Sequence, residues 1–347
     1  MQFLIDYISS TFALSLIFFL GFTAVILFAG TRLTRIADKL ADLTKIGEAL
    51  FGAIMLGAIT SIAGIIASIT AAWEGLAGMA VNNAIGGIAA QTAFLAIADI
   101  FYKKANLEHA SASLQNIMLA TLLTAELALI LLFMSAPPVS IFGIHPASVL
   151  FIAVFYIGSY LISRAKKAPM WRPKKTDQTR EDIPHFEGLS GKRHAVLWVQ
   201  FIIFAVIVAF SGYVVAHSGI GIASHSGLSE SFVGALFTAI STSMPELIVS
   251  IAAVRQGSLT MAVGNIVGGN TFEVLSVSFS DMAFSKGSIY HHITNEQTFI
   301  IALTLLMMMV MIFGLLYRQR YGPGKIGWES VTILLLFLGG YLVLYFI

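Results

Sequence analysis

Two acidic side chains lie within strongly apolar stretches of this sequence, each close to hydroxyl or carboxamide groups. Glu246 follows the Ser-Thr-Ser-Met-Pro run at 241–245, and Glu273 follows the Gly-Asn-Ile-Val-Gly-Gly-Asn run at 264–270. The proline frees a backbone carbonyl, and carbonyls, hydroxyls, carboxamides and carboxylates are all hard oxygen donors. These residue types predict a site that suits Na⁺, Ca²⁺ or Mg²⁺ and does not suit a soft metal ion.

The composition places this chemistry in a membrane. Of the 347 residues, 57% are apolar and 11% are charged, and the mean hydropathy is +0.87. Soluble domains carry about 25% charged residues, so a water-soluble enzyme is excluded. The chain has no cysteine, which excludes a disulfide framework, thiolate-ligated zinc and iron–sulfur clusters. A charged residue within a span costs about 2.5–3.5 kcal/mol on insertion scales, so Glu246 and Glu273 need a reason to persist there.

Ten segments are long and apolar enough to cross a bilayer as helices, each of which needs about 20 mostly apolar residues. The sequence therefore predicts an all-α integral membrane protein. The first segment lacks the basic stretch and the small-residue cleavage site of a signal peptide, so we expect it to be a retained span. The predicted spans are 9–31, 47–72, 77–101, 113–134, 141–163, 195–217, 230–254, 258–283, 297–317 and 328–347.

The basic residues predict the orientation of these spans. Alternate loops hold 19 of the 20 Lys and Arg residues, and the remaining one, Lys286, lies on the other side. Because cytoplasmic loops collect basic residues, we expect both termini to lie outside the cytoplasm. The basic, proline-containing stretch 164–194 is the predicted cytoplasmic linker between two halves. This short linker and the lack of a presequence favour a bacterial inner (plasma) membrane.

The chain contains an internal repeat at a spacing of 182 residues, which aligns more than fifty positions without a gap. Each half holds five predicted spans, an odd number, so the two halves have opposite orientations in the membrane. Inverted repeats of this kind place a substrate site near the midplane, where broken helices meet. The predicted units are 1–163 with a core at 47–101, the linker 164–194, and 195–347 with a core at 230–283. The aligned residues include Glu48 with Glu230, Thr60 and Ser61 with Thr242 and Ser243, Asn83 with Asn265, Gly86 and Gly87 with Gly268 and Gly269, and Asp99 with Asp281.

At these residues the sequence resembles a known family. The motif Ser243-Met244-Pro245-Glu246-Leu247, followed by the glycine-rich run 264–270, is similar to the second alpha-repeat of the cation/calcium antiporter superfamily, which includes sodium/calcium and proton/calcium exchangers. The resemblance implies a ten-span fold with Glu246 as the central carboxylate ligand and Glu273 as the second acidic ligand. The other cation-binding residues that it implies, or that stand opposite them in the repeat, are Thr60, Ser61, Thr242, Ser243, Asn83, Gln91, Asn265 and Asn270.

The first repeat departs from the family pattern. The family has Pro-Glu where this chain has Ala63-Gly64, and Gln91 stands opposite Glu273. Both acids of the site therefore come from the second repeat. We expect a changed coupling stoichiometry or coupling ion, with protons as one candidate. Glu126, in the middle of the fourth span, has no acidic counterpart in the other half. Three roles stay open for it: it supplies the carboxylate that Gly64 lacks, it relays protons, or it bonds to a neighbouring helix.

The resemblance implies a secondary active cation antiporter that moves Ca²⁺ or a similar cation against Na⁺ or H⁺ by alternating access. Its implied partners are inorganic cations and the lipid bilayer, with no nucleic acid and no permanently bound cofactor. The sequence has no P-loop, zinc-helix, nucleophile-elbow or dinucleotide motif, so we do not expect an enzyme. Two alternatives stay open: a sensor or regulatory membrane protein that binds a cation without exchanging it, and a passive channel.

Overall fold

The computed structural model of this protein describes residues 2–44, 57–102, 104–141, 143–167, 169–174, 176, 191–322 and 326–347. Within these ranges the backbone is helical apart from turns, loops and one isolated bridge between Ile141 and Ile144. Helices satisfy every backbone hydrogen bond within one segment, which apolar surroundings require because they offer no water.

The helices of the described ranges are numbered here in chain order. In the first half they are α1 Gln2–Ile8, α2 Phe12–Thr44, α3 Ile62–Trp73, α4 Ala77–Phe101, α5 Leu107–Ser111, α6 Leu114–Met134 and α7 Pro146–Lys167. In the second half they are α8 Gly191–Ser226, α9 Glu230–Thr242, α10 Met244–Gln256, α11 Leu259–Glu273, α12 Leu275–Ala283, α13 Asn295–Tyr317 and α14 Trp328–Phe346.

The predicted spans correspond to these helices. Seven helices of the described ranges are long and apolar enough to cross a membrane, and the bent pair α9 and α10 makes an eighth. The predicted span 258–283 is divided between α11 and α12. The predicted span 47–72 ends in α3, while its residues 47–56 lie outside the described ranges. The prediction of an all-α integral membrane protein is confirmed.

Several helices extend beyond the apolar windows that predicted them. Helix α2 continues through a basic stretch to Thr44, although its predicted span ends at 31, and α8 continues to Ser226, nine residues past its predicted end. The extension of α2 contains Arg32, Arg35 and Lys39, and lysine and arginine are good helix formers, so this helix continues into the polar layer where the apolar window stops. The extension of α8 contains no lysine or arginine. Hydropathy thus located the membrane-crossing part of each helix and missed its ends.

Helix α4 forms the centre of the molecule. Its apolar window is 83% buried, whereas the windows of α2 and α8 are 22% and 17% buried. Helix α4 is rich in alanine and glycine, and small residues let neighbouring helices approach closely inside a bilayer. Polar side chains on α4 therefore face protein, while α2 and α8, which pack against each other, present large apolar side chains outward.

The polar contacts at the ends of the central helices repeat at the spacing of the sequence repeat. Asp99 accepts hydrogen bonds from the backbone N–H groups of Leu107, at 2.7 Å, and Gly327, at 2.9 Å. The equivalent residue Asp281 accepts from the backbone N–H groups of Ile289 and His145, both at 2.8 Å. Each aspartate therefore joins a loop of its own half to a loop of the other half. The division into units at 164 and 195 stays a prediction.

Candidate cation site

The seventh predicted span is broken at Ser243. Helices α9 and α10 meet there at an angle of 47°, and Ser243 has φ −96° and ψ 4°, outside the helical region. Pro245 lies in the first turn of α10, the part of a helix where a missing N–H group costs nothing. The break therefore places Glu246 in the first turn of a new helix, deep within the protein.

The first half contains an equivalent break, but no proline marks its position in the sequence. Residues 57–60 are helical, the chain turns at Ser61 with φ −78° and ψ 0°, and α3 begins at Ile62. The hydroxyl group of Ser61 is buried and has no hydrogen-bond partner among the described residues. Thr60 donates to the backbone carbonyl of Gly57 at 2.9 Å, so its oxygen keeps lone pairs for another ligand.

Two buried carboxylates lie where the halves meet. Glu246 is 6% exposed and Glu273 is 2% exposed, and the charge of Glu246 acts on Glu273. Both oxygens of Glu246 lack a hydrogen-bond partner within the described ranges, and Thr60 is the side chain that approaches them. Two buried like charges are unfavourable unless protons or a cation neutralise them. This pair can therefore bind positive charge.

Glu273 contacts its own repeat counterpart. The carboxamide of Gln91 donates from Nε2 to Oε2 of Glu273 at 2.6 Å, and the two residues are 182 positions apart. The same nitrogen lies 3.2 Å from the hydroxyl oxygen of Ser243. Contact between equivalent residues is what a pseudo-two-fold axis produces where it passes between two halves. The predicted ligands Gln91, Ser243 and Glu273 are therefore brought together.

Two glycines leave room for the Glu273 carboxylate. A Cβ atom on Gly87 would lie 2.5 Å from Oε1 of Glu273, and one on Gly64 would lie 3.1 Å from the same oxygen. The Gly64 position also faces the hydroxyl oxygen of Thr242, at 3.5 Å. The absence of a side chain at residue 64 thus opens space that the carboxylate of the other half enters.

The predicted asparagines have different surroundings. Asn83 is buried and donates to the carbonyl of Gly64, at 2.9 Å, and to the hydroxyl of Ser68, at 2.8 Å, so it stabilises the first-half break. Asn270 is fully buried, and both polar atoms of its carboxamide lack partners among the described residues. Asn265 is only half-buried, so the repeat equivalence of residues 83 and 265 does not extend to their surroundings.

Glu126 is not joined to the acidic pair. It is fully buried in α6, and neither carboxylate oxygen has a hydrogen-bond partner within the described ranges. Burial alone sets its electrostatic environment, without a contribution from Glu246 or Glu273. The bond to a neighbouring helix that the sequence offered as one alternative is therefore not formed by the described residues.

One structural feature near the site was missed by the sequence analysis. Residues Val233–Thr238 of α9 form a π-helical turn, a feature that often marks functional positions. The backbone of Ala235 there contacts Gly86 of α4 directly. The Tyr341 hydroxyl donates to the carbonyl of Ala235 at 3.0 Å and lies 3.4 Å from the carbonyl oxygen of Gly86, so it bridges the two helices at this close approach. The repeated glycine pair at 86–87 was the sequence signal for this close approach.

The fold and the site together define a multi-pass membrane protein in which two broken helices bring oxygen ligands and two carboxylates to the interior. The sequence model of the sodium/calcium exchanger protein family matches residues 14–165 and again residues 196–347. The chain therefore belongs to this family, and the resemblance inferred from its motifs is confirmed. Because this family consists of exchangers, the prediction that the chain is not an enzyme is also confirmed.

Individual relatives agree with this assignment. A putative antiporter, CaxA of Alkalimonas amylolytica, is 26% identical over 334 residues, which cover 93% of this chain and 96% of that protein. The crystal structure of the H⁺/Ca²⁺ exchanger CAX matches 95% of this chain and 84% of that one, with a TM-score of 0.70 and 14% identity. The sodium-calcium exchanger NCX_Mj matches 94% of this chain and 98% of that one, with a TM-score of 0.59 and 18% identity. At these identities the structural matches define the fold.

Proposed function

We propose that this chain is a secondary active antiporter that moves Ca²⁺, or a similar divalent cation, against H⁺ or Na⁺ by alternating access. One observation carries the proposal: Glu246 and Glu273 are buried together where two broken helices meet, and the oxygens of Glu246 have no hydrogen-bond partner among the described residues. The names of the relatives, an antiporter and exchangers of Ca²⁺ with H⁺ or sodium, support the same class of activity.

The donor set suits a hard cation. Ca²⁺ takes about six to eight oxygen ligands at about 2.3–2.6 Å from carboxylates, carbonyls, hydroxyls and carboxamides. The two carboxylates supply the charge, and the proposed neutral ligands are Thr60, Ser61, Thr242, Ser243, Asn270 and the carboxamide oxygen of Gln91, with Asn83 and Asn265 shaping the surroundings. Transported cations fill this set in turn, and the proposed cycle uses no bound cofactor.

The charge of the site sets the proposed stoichiometry. Gly64 and Gln91 are neutral, so the pair Glu246 and Glu273 carries a charge of −2 when ionised. One Ca²⁺ balances this charge, and so do two protons or two sodium ions. We therefore propose exchange of one divalent cation for two monovalent cations, which moves no net charge. The proposed location is a bacterial inner membrane with both termini outside the cytoplasm, as the distribution of basic loop residues predicts.

Flux measurements in proteoliposomes test this proposal. The parent chain should take up ⁴⁵Ca²⁺ when an outward gradient of H⁺ or Na⁺ is imposed, and a clamped membrane potential should not change the rate. Glu246→Gln should abolish uptake, because it removes half of the site's charge. Glu296→Gln, which changes an acid in the first turn of α13, is the matched control and should retain parental flux. Absence of counter-ion-driven flux in the parent chain would contradict the proposal.

A second candidate is a sensor that binds a cation without exchanging it, and the missing carboxylate at Gly64 favours it. Calorimetry distinguishes the two candidates. A sensor binds Ca²⁺ through Glu246 but shows no Ca²⁺ flux under any ion gradient. An antiporter shows both Ca²⁺ binding and counter-ion-driven flux. A passive channel would conduct Ca²⁺ without any counter-ion.

A further inference from the structure

A second group of buried acids lies outside the candidate cation site, at the end of the molecule that carries the basic loops. This end, the basic face, brings together the loop after α4, the loop after α13 and part of the linker. Contacts across it include a hydrogen bond from the backbone N–H of Asn106 to the carbonyl of Arg320, at 3.1 Å. The three acids of the group, Asp99, Glu108 and Glu329, are 0%, 4% and 0% exposed; we call them the acid cluster.

Some carboxylate oxygens of the acid cluster have no hydrogen-bond partner among the described residues. Asp99 uses both oxygens to accept backbone N–H groups, and Glu108 accepts from the hydroxyl of Ser330 with Oε1, at 3.2 Å. Oε2 of Glu108 and both oxygens of Glu329 have no hydrogen-bond partner within the described ranges. Two of these three oxygens approach the same point: Oε2 of Glu329 and Oε2 of Glu108 lie 3.2 and 3.3 Å from the position of a Cβ atom on Gly327.

The inverted repeat supplies an internal comparison at the opposite end of the molecule. There Asp281 takes the place of Asp99, Tyr290 takes the place of Glu108, and Ala147 takes the place of Glu329. Ser148, the counterpart of Ser330, donates to Asp281 at 2.7 Å and contacts the Tyr290 hydroxyl at 3.1 Å. At this opposite end, the equivalent loops are thus held together by one carboxylate and by neutral hydrogen-bonding partners. The two extra acids of the basic face are not needed to hold the loops together.

Among the described residues, no basic side chain neutralises the acid cluster. Arg318 directs its guanidinium group to the backbone carbonyls of Lys174, at 2.8 Å, and His109, at 3.2 Å. The imidazole of His109 contacts the carbonyl of Arg318 and the hydroxyl of Thr176. Within the part of the chain that the structure describes, the charged groups that act on Glu108 are Asp99 and Glu329 themselves.

A single proton would pair two of these three oxygens, because a protonated carboxyl group can donate to a carboxylate. Burial, together with the charges of Asp99 and Glu329, raises the pKa of Glu108 well above its usual value. At a pH between the ordinary glutamate pKa and this raised pKa, the folded chain binds a proton here that the unfolded chain releases. This contribution to stability is complete below the ordinary glutamate pKa and is lost as the pH rises through the raised pKa.

We propose that Asp99, Glu108 and Glu329 form a proton-binding site, separate from the cation site, and that its proton holds the basic face closed. In the protonated state a carboxyl group of one glutamate donates to the other, and this bond joins α5 to the start of α14. Removal of the proton leaves adjacent buried carboxylates, whose repulsion separates these two helices and admits water. The site thus makes opening of the basic face depend on the pH at that face.

A cysteine introduced at Ser111 tests the proposal, because the chain has no cysteine of its own. Ser111 lies at the end of α5 and is fully buried, and cysteine is close to serine in size. Labelling of Ser111→Cys by a charged methanethiosulfonate reagent should increase about tenfold per pH unit below the pKa of the cluster, beyond the increase due to thiol ionisation. In the Glu329→Gln background this excess pH dependence should disappear, whereas the Glu296→Gln background should retain it.

Further measurements decide whether the acid cluster binds a proton or a metal ion. Glu108→Gln provides a second neutral variant if Glu329→Gln fails to fold, and difference infrared spectroscopy should lose one protonated carboxyl band in either. Excess pH dependence that persists in both variants would overturn the proposal. It would also be overturned if Ca²⁺ at constant pH suppressed labelling and this suppression required Glu329, because the cluster would then bind a divalent cation. Labelling requires no transport, so these results are independent of the proposed antiport.

Discussion

Substitution of Gly87 by alanine should weaken cation binding without unfolding the chain. The new Cβ atom would lie 2.5 Å from Oε1 of Glu273. Ordinary carbon–oxygen contact begins near 3.4 Å, so this oxygen must move by about 0.9 Å. The atom is the far end of a flexible side chain and can move, while alanine also favours the helix by about 1 kcal/mol over glycine. The fold should therefore tolerate the change.

The displacement is large compared with what a cation site tolerates. Oxygen ligands of Ca²⁺ lie within a window of about 0.3 Å, between about 2.3 and 2.6 Å. A comparable movement of Oε2 would also break its 2.6 Å hydrogen bond with Gln91. A hydrogen bond to a charged group contributes about 1.5–3 kcal/mol, so we expect the Kd for Ca²⁺ to rise about 10- to 100-fold.

Isothermal titration calorimetry of the purified chain with Ca²⁺ measures this effect, and a thermal melt checks that the variant folds. Gly64→Ala is the matched control: its Cβ atom would lie 3.1 Å from the same oxygen, which requires a shift of only about 0.3 Å and should leave Kd near the parental value. Equal affinities for the parent chain and Gly87→Ala would refute the reasoning, because Glu273 would then not lie against residue 87 in the bound state.

Three further predictions concern single residues. Gly86→Ala should lower the thermal midpoint by an amount equivalent to about 1–3 kcal/mol, since the new Cβ atom meets backbone atoms of Ala235 that cannot move aside; an unchanged melt contradicts this. Asp281→Asn should destabilise the chain by about 1–3 kcal/mol, because Asp281 accepts three hydrogen bonds, yet calorimetric Ca²⁺ binding should persist; loss of binding in a folded variant opposes it. Gly64→Glu adds a third carboxylate beside Glu273, so Ca²⁺ exchange should become sensitive to membrane potential in dye-based proteoliposome assays; exchange that stays electroneutral argues against the proposed stoichiometry.

Much of the fold could be predicted from the sequence, because the features concerned depend on residue type and order alone. Apolar windows of sufficient length specify membrane-crossing helices whatever their neighbours are. The repeat at a spacing of 182 residues and the odd number of spans in each half require two inverted halves. The Gly64 departure was equally visible, because it is a difference in residue identity at an aligned position.

The breaks in the two core helices show which features a local sequence pattern can predict and which it cannot. Pro245 predicts the break in the second half, because proline removes a backbone hydrogen-bond donor. The equivalent break at Ser61 has no such residue, and the surrounding packing maintains it: Asn83 of α4 binds the carbonyl of Gly64 one turn later. A break held by a contact between residues distant in sequence is set by tertiary packing and has no local sequence signal.

The sequence by itself determined the class of protein, its helices, its internal symmetry and the acids within its spans. Only the tertiary structure decided which of those acids act together. It joined Glu273 to Gln91 and Glu246, left Glu126 apart, and grouped Glu108 with Glu329 on the basic face. The physical reason is that the free energy of a buried charge depends on the groups within a few ångströms, and helix packing determines those groups.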